Sequence, residues 1–223
     1  MKPYKYLAGL AIATLTLSGC TNLDETVYNQ VSSNNYFNTR EDVIAMAFRS
    51  FEHGYWTIVP RFRIQELPGD QLIIPRRDGS WDDGGVWRQF HYHTWTPDIS
   101  RHVHDEWDSC FAGIGQCNFA IDRFNQLDPE KFGFSVEEFN SLRTQNRVLR
   151  CWYYIRLLDA FRNVPFSVSY DDPSQNSMSQ VPPEFIFNFV ETELKESIPL
   201  LYKKETLGSG SQYANLWTQG GAA

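Results

Sequence analysis

The longest helical pattern in the chain, at residues 135–161, sets the kind of fold that this sequence can adopt. Ser135 is followed three residues later by Glu138, which is the spacing of a capping box at a helix start. Residues 148–161 are apolar nearly all round, so other elements must cover this part of the helix on most sides. Pro165 follows where the pattern stops. The segment is therefore predicted to be the buried centre of a helical protein.

Three further helical patterns supply that cover. Thr39, with Asp42 three residues later, predicts a helix start, and apolar spacing extends this helix to Tyr55. A second helix is predicted from about residue 105 to the proline at residue 129. A third is predicted to begin at Pro183, and its apolar stripe consists of Ile186, Val190, Leu194, Ile198 and Leu201.

These patterns predict the fold class and one interruption of it. The class is all-α, with tetratricopeptide-like antiparallel helix pairs that form an α-α superhelix. Residues 57–100 are punctuated by proline and glycine and predict a long irregular loop insertion. Within that loop, the apolar residues 72–74 predict one short strand.

The amino terminus has the pattern of a bacterial lipoprotein signal. Two lysines precede an apolar run at residues 7–17, which is too short to span a membrane. The run ends in Leu-Ser-Gly-Cys at residues 17–20, a lipobox in which Cys20 would be acylated. We predict a signal peptide at 1–19, a polar tether or lead-in at 20–38 and a helical domain at 39–223. An ordinary signal peptide with an incidental cysteine is the alternative.

Three cysteines remain beyond Cys20, which is an odd number. Cys110 and Cys117 lie seven residues apart on a predicted helix, too far apart to form a disulfide. Cys151 also has apolar neighbours. We predict that all three are buried, unpaired thiols.

The net charge argues against nucleic-acid binding, whereas the aromatic content favours a role in recognition. A net charge of −7 argues against a general nucleic-acid binder, which needs a dense basic surface. Aromatic residues make up 15% of the chain, which is more ring surface than a core of this size needs. Part of that surface is expected to serve recognition.

A set of motifs resembles the RagB/SusD family of outer-membrane nutrient-binding lipoproteins over essentially all of residues 20–223. Beyond the lipobox, these motifs are LDET at 23–26, NYFNT at 35–39, WDDGGVW at 81–87, HTWTPD at 93–98, RVLRCWYY at 147–154 and LLD at 157–159. The resemblance implies a tetratricopeptide-like scaffold that captures a glycan or peptide at the cell surface. It also implies a SusC-like TonB-dependent transporter as partner, and no catalysis. Family members are longer, so the chain is expected to be an amino-terminal portion, incomplete at its carboxyl end.

The loop at 76–95 has the residues that a sugar site needs. Aromatic rings stack on the C–H face of a sugar, while charged groups bond its hydroxyls. The predicted ligand-binding residues are Arg76, Arg77, Trp81, Asp82, Trp87 and Trp95. Trp81 is the favoured exposed platform because it lies between a serine and two aspartates. For Trp87 and Trp95, an equally good interpretation is that they pin the loop to the core.

Histidines, acidic residues and paired aspartates in the same part of the chain offer other kinds of site. His91, His93, His102 and His104 alternate in two pairs and leave a zinc site, and with it a zinc-dependent hydrolase, as a minor alternative. No His-Glu-x-x-His spacing supports it. No cofactor is predicted; residues 78–84 lack the spacing of a calcium hand and leave only an incidental calcium ion open. Paired aspartates on a loop do not set the separation that glycosidases need, so no enzyme is predicted.

The leading hypothesis is a lipid-anchored outer-membrane protein at the cell surface. It would bind a glycan non-covalently and deliver it to the transporter. The alternative is a helical-repeat interaction module, or a peptide-binding lipoprotein, without a complete glycan site of its own.

Overall fold

The computed structural model describes residues 37–96, 101–171, 178–208, 210, 211, 213 and 216–223. Signal peptide, Cys20 and most of the predicted tether lie outside the described residues. The α-helices are α1 Arg40–Trp56, α2 Ile58–Glu66, α3 Val86–His91, α4 Arg101–Gln126, α5 Val136–Phe161, α6 Pro183–Ser197 and α7 Gln219–Ala222. Two short strands, β1 Val164–Pro165 and β2 Gln180–Val181, pair antiparallel. The all-α prediction with paired helices is confirmed.

The two helix starts that were predicted from capping boxes are capped by the residues that the sequence indicated. At α1, Thr39 Oγ1 accepts the Asp42 backbone N–H at 3.2 Å, and the Asp42 carboxylate accepts the Thr39 N–H at 2.9 Å. At α5, Ser135 Oγ accepts the Glu138 N–H at 3.1 Å. The Glu138 carboxylate does not close the second half of this box, because it instead accepts hydrogen bonds from Arg40 and Tyr213.

Helices α4 and α5 form the centre of the core through one close approach. Tyr153 of α5 is fully buried, and its hydroxyl donates to the Ser50 carbonyl oxygen of α1 at 3.1 Å. A Cβ atom on Gly113 of α4 would lie 2.2 Å from the Tyr153 ring. Glycine is therefore required at this position, since any side chain would force the two helices apart.

Buried ion pairs join the helices around this core. The Arg156 guanidinium bonds both carboxylate oxygens of Glu106, at 3.0 and 2.6 Å, and also donates to Thr57 at the end of α1. On the far side, Arg147 and Arg150 of α5 both bond Glu193 of α6. Each arginine thus ties α5 to a neighbour while its charge is satisfied.

The three described cysteines are buried free thiols, as predicted. Burial is the largest cause that raises the pKa of Cys110, Cys117 and Cys151, in each case to about 12. They are therefore protonated and serve as small apolar core residues. Among the described helices, none is both long and apolar enough to cross a membrane.

The prediction for residues 57–100 was wrong in part, because α2 and α3 lie inside the segment predicted to be irregular. Pro60, which suggested a break, falls in the first turn of α2, where a missing N–H costs no intrahelical bond. Residues 72–74 form no strand. Instead a second, smaller hydrophobic cluster forms around Leu67, Val86, Trp87 and Phe90 and holds the segment together.

The close approach at Gly113 gives a stability prediction. Gly113→Ala is expected to lower the free energy of unfolding by about 3 kcal/mol, because the new methyl group overlaps the buried Tyr153 ring. The matched control is Gly115→Ala in the same helix, where a Cβ atom has no neighbour within 4 Å. This change should raise stability by about 0.5–1 kcal/mol through helix propensity. Urea denaturation checks both; equal effects of the two substitutions would contradict the packing described.

Candidate ligand-binding site

A tight hairpin turn precedes the candidate site. Arg77 and Ser80 exchange two backbone hydrogen bonds, with N···O distances of 3.0 and 2.7 Å. Between them, Asp78 and Gly79 have φ angles of 46° and 84°. Positive φ at both central residues is the geometry of a two-residue hairpin, and Asp-Gly is a favoured sequence for it. The turn fixes the direction in which the next residue leaves.

That next residue is Trp81, whose side chain is largely exposed. Its relative exposure is 65%, and its φ of 65° lies in the left-handed region that bulky residues rarely adopt. The Arg77 guanidinium carbon lies 6.0 Å from the centre of the indole ring, within range of a cation–π contact. A strained backbone that holds an apolar ring out in water is a pattern found at ligand sites.

Polar residues flank Trp81 on both sides in the sequence. Asp82 follows Trp81, and its Oδ1 lies 3.0 Å from the Arg88 guanidinium of α3. Arg76 is exposed, and no carboxylate within the described ranges pairs with it. The exposed members of the predicted set are thus Arg76, Arg77, Trp81 and the partly exposed Asp82. Sequence reasoning missed Arg88, because only the fold turns α3 back toward Asp82.

The other two predicted indoles lie in the smaller hydrophobic cluster. Trp87 is only 7% exposed; its ring stacks on His102 at 4.7 Å between centroids, and Arg63 lies over it. Trp95 is half-buried and packs against Phe90 at 5.5 Å. Both residues hold the loop against the helices by packing, which is one of the two interpretations that the sequence allowed. Trp87 presents no face to a ligand here.

The histidines of the zinc alternative are not gathered in one site, since His91, His93 and His102 contact different groups and His104 is exposed. His91 Nδ1 lies 2.8 Å from the Asp70 carboxylate, His93 Nε2 lies 2.9 Å from the Pro68 carbonyl oxygen, and His104 is exposed. Within the part of the chain that the structure describes, no three His, Cys, Asp or Glu side chains form a group that could hold a metal ion. The zinc alternative therefore gains no support from this region.

The arrangement of these helices and loops is the fold of the SusD-like proteins. Surface glycan-binding protein A from Bacteroides uniformis matches it with a TM-score of 0.65 at 19% sequence identity, over 82% of this chain and 40% of that one. A laminarin-binding SusD-like protein matches with a TM-score of 0.64 at 18% identity, over 83% and 38% of the two chains. A SusD superfamily protein from Parabacteroides distasonis gives 0.63 at 16% identity, over 86% and 38%.

These likenesses confirm, at the level of the fold, the resemblance that the sequence motifs indicated. No protein-family model matches the chain, and no curated protein sequence matches it either. The chain spans about two fifths of the length of the solved structures described above.

The packing of His102 against Trp87 and Arg63 gives a pH prediction. Burial, and then the positive charge of Arg63, lower the pKa of His102 from its ordinary 6.5, and the Arg63 guanidinium lies 3.3 Å from Nδ1. The folded protein thus favours neutral His102. The stability that depends on neutral His102 is fully present above about pH 6.5 and is lost as the pH falls through the lowered pKa.

We therefore expect His102→Gln to show a smaller fall in melting temperature between about pH 7.5 and about pH 5 than the unmodified protein. The exposed neighbour, changed as His104→Gln, is the matched control and should keep the original pH dependence. Thermal unfolding followed by circular dichroism measures both. An unchanged pH dependence in His102→Gln would show that the histidine is not held neutral by its packing.

Proposed function

We propose that the chain belongs to the RagB/SusD family and binds a glycan non-covalently, with the exposed indole of Trp81 as its platform. The observation that carries the proposal is this indole, held outward on a hairpin with Arg77 beside it. Solved structures with the same fold are described as glycan-binding and as laminarin-binding, which supports the ligand class.

The chemistry of the hairpin suits a sugar. The apolar C–H face of a pyranose ring stacks on an indole, and burial of that face stabilises the complex. Arg76 and Arg77 donate hydrogen bonds to ring hydroxyls, while Asp82, oriented by Arg88, accepts them. Trp87 is left out of the site because it is buried. We propose binding without catalysis, as the family resemblance of the sequence motifs implies.

The amino-terminal motif supports the proposed location. Acylation of Cys20 would anchor the protein to the outer membrane, with the helical domain at the cell surface. There it would pass its glycan to a SusC-like TonB-dependent transporter. This delivery step rests on the family resemblance of the sequence motifs.

The lipid anchor has a direct test. In a bacterial host that processes lipoproteins, the protein is expected to lose residues 1–19 and to gain the mass of a diacylglycerol on Cys20. Cys20→Ala should abolish this mass and move the protein out of the membrane fraction, whereas Thr21→Ala should be processed normally. Intact-mass spectrometry measures the modification, and an unmodified Cys20 thiol in the wild type would refute the anchor.

One observation favours the alternative of a protein-interaction module. Large apolar side chains are exposed around the junction of α1 and α2, namely those of Tyr55, Trp56, Ile58, Val59 and Phe62. Exposed apolar surface of this kind is typical of contacts with another protein or another part of a chain. This surface contributes none of the hairpin residues, so the two functions are separable by mutation.

The glycan proposal is tested by calorimetric titration of the purified protein with hexasaccharides of laminarin, xylan, mannan and inulin. We expect at least one to bind, and Trp81→Ala to weaken that binding about 30-fold, because a central aromatic anchor contributes about 2 kcal/mol. The matched control is Trp56→Ala, whose indole is equally exposed, at 67%, but lies outside the hairpin.

Trp56→Ala should bind like the wild type. Absence of heat with every hexasaccharide would refute the proposal and favour the interaction module. Equal weakening by both tryptophan substitutions would also contradict it, because the effect would then not be specific to the hairpin.

A further inference from the structure

A cleft of about 250 Å³ lies beyond the carboxyl end of α3, away from the Trp81 hairpin. It is formed where α2, the segment after α3, the start of α4 and the end of α5 meet. Six of its lining residues carry the argument: Arg61, Gln65, Phe90, Trp95, Asp159 and Phe161.

The walls of the cleft are aromatic rings held in place by the protein. Trp95 is half-buried and packs against Phe90, with 5.5 Å between ring centroids; Phe90 is only 1% exposed, so it supports Trp95 and does not itself face a ligand. Phe161, at the end of α5, makes an edge-to-face contact with Trp107, with centroids 5.1 Å apart and planes at 85°. Each ring is therefore fixed by a neighbour before any ligand arrives, and a ring-shaped ligand would meet preformed apolar surfaces.

The rim of the cleft is polar. Arg61 of α2 and Asp159 of α5 form an ion pair there, in which the Asp159 side chain is largely exposed. Gln65 lies one turn further along α2 and is also exposed. An arginine donor, a carboxylate acceptor and an amide together match the donor and acceptor groups of neighbouring hydroxyls.

We propose that this cleft is a second carbohydrate site, which takes one pyranose ring. The volume is below the usual range for drug-sized ligands and suits a single ring with apolar faces and polar edges. The inference rests on the proposed function for its ligand class. It goes beyond that function because it gives Trp95, half-buried and apart from the hairpin, a ligand of its own.

The two sites flank one short helix. Trp81 lies five residues before the start of α3, and Trp95 lies four residues after its end, while α3 itself is about 9 Å long. The smaller hydrophobic cluster fixes α3 between them. A glycan thus meets two aromatic contact points on the same rigid segment.

The test fills the cleft without removing any core residue. Ala160 lines the cleft and is exposed, so Ala160→Trp adds an indole at its mouth. The matched control is Ile155→Trp, which adds an indole at an exposed position of the same helix outside the cleft. Both variants and the wild type are titrated with the hexasaccharides of laminarin, xylan, mannan and inulin. We expect Ala160→Trp to weaken one binding event about tenfold, which is the loss of affinity expected when one stacked, hydrogen-bonded ring can no longer bind.

The controls separate the two proposals. Ile155→Trp should bind like the wild type, and circular dichroism should show that Ala160→Trp keeps the fold. If Trp81→Ala weakens binding but Ala160→Trp leaves affinity and stoichiometry unchanged, the cleft proposal is refuted and the hairpin site stands. If no hexasaccharide binds the wild type, the proposed function has failed and the cleft proposal fails with it.

Discussion

The buried contact between Glu106, Arg156 and Thr57 is the interaction on which the rest of the structure depends. Glu106 is fully buried, so its charge is stable only because Arg156 bonds both of its oxygens. The same guanidinium donates to Thr57, which is the residue between α1 and α2. Removal of one partner would leave an uncompensated charge in the core, which commonly costs about 3–5 kcal/mol. This contact therefore joins three helices and also fixes the start of the segment that carries both candidate sites.

From that anchor the segment is built outward in two steps. The smaller hydrophobic cluster packs Trp87 and Phe90 inward and gives α3 a fixed position beside α4. Between residues 78 and 85, just before α3, residues with positive φ turn the chain sharply, and Trp81 is the bulkiest of them. Aromatic residues of one loop thus differ in role. The buried rings of Trp87 and Phe90 hold the segment in place, whereas the exposed ring of Trp81 is available to a ligand. Rigid support of this kind lowers the entropic cost of binding.

The helices were predictable from the sequence because local patterns determine them. The caps at Thr39 and Ser135 and the apolar character of residues 148–161 need no knowledge of the fold. Arg147, in contrast, pairs with Glu193, which is 46 positions away, and only the packing of α6 on α5 identifies this partner. The Asp-Gly turn at residues 78 and 79 is also determined by local sequence, but the prediction of a long irregular loop did not include it.

The candidate site was predictable only in part, because contacts between residues distant in sequence decide which side chains are exposed. Trp81 was favoured as the exposed platform from its polar neighbours, and its exposure agrees with that preference. Trp87 belongs to the same WDDGGVW motif, yet the stacking of its ring on His102 helps to bury it, and that contact spans two helices. The cleft beside Trp95 joins residues 61–65 to residues 159–161, so no local pattern could indicate it. Sequence patterns identified the residue types, while tertiary packing decided which of them face a ligand.

The central claim is that a sugar ring stacks on the Trp81 indole, and nuclear magnetic resonance tests it most directly. In a protein labelled with nitrogen-15, each tryptophan gives its own indole N–H signal, which can be assigned by single substitutions. On addition of a bound hexasaccharide, the account predicts that the Trp81 signal shifts most strongly while that of buried Trp87 stays in place. A hexasaccharide that binds and leaves the Trp81 signal unmoved would contradict the account.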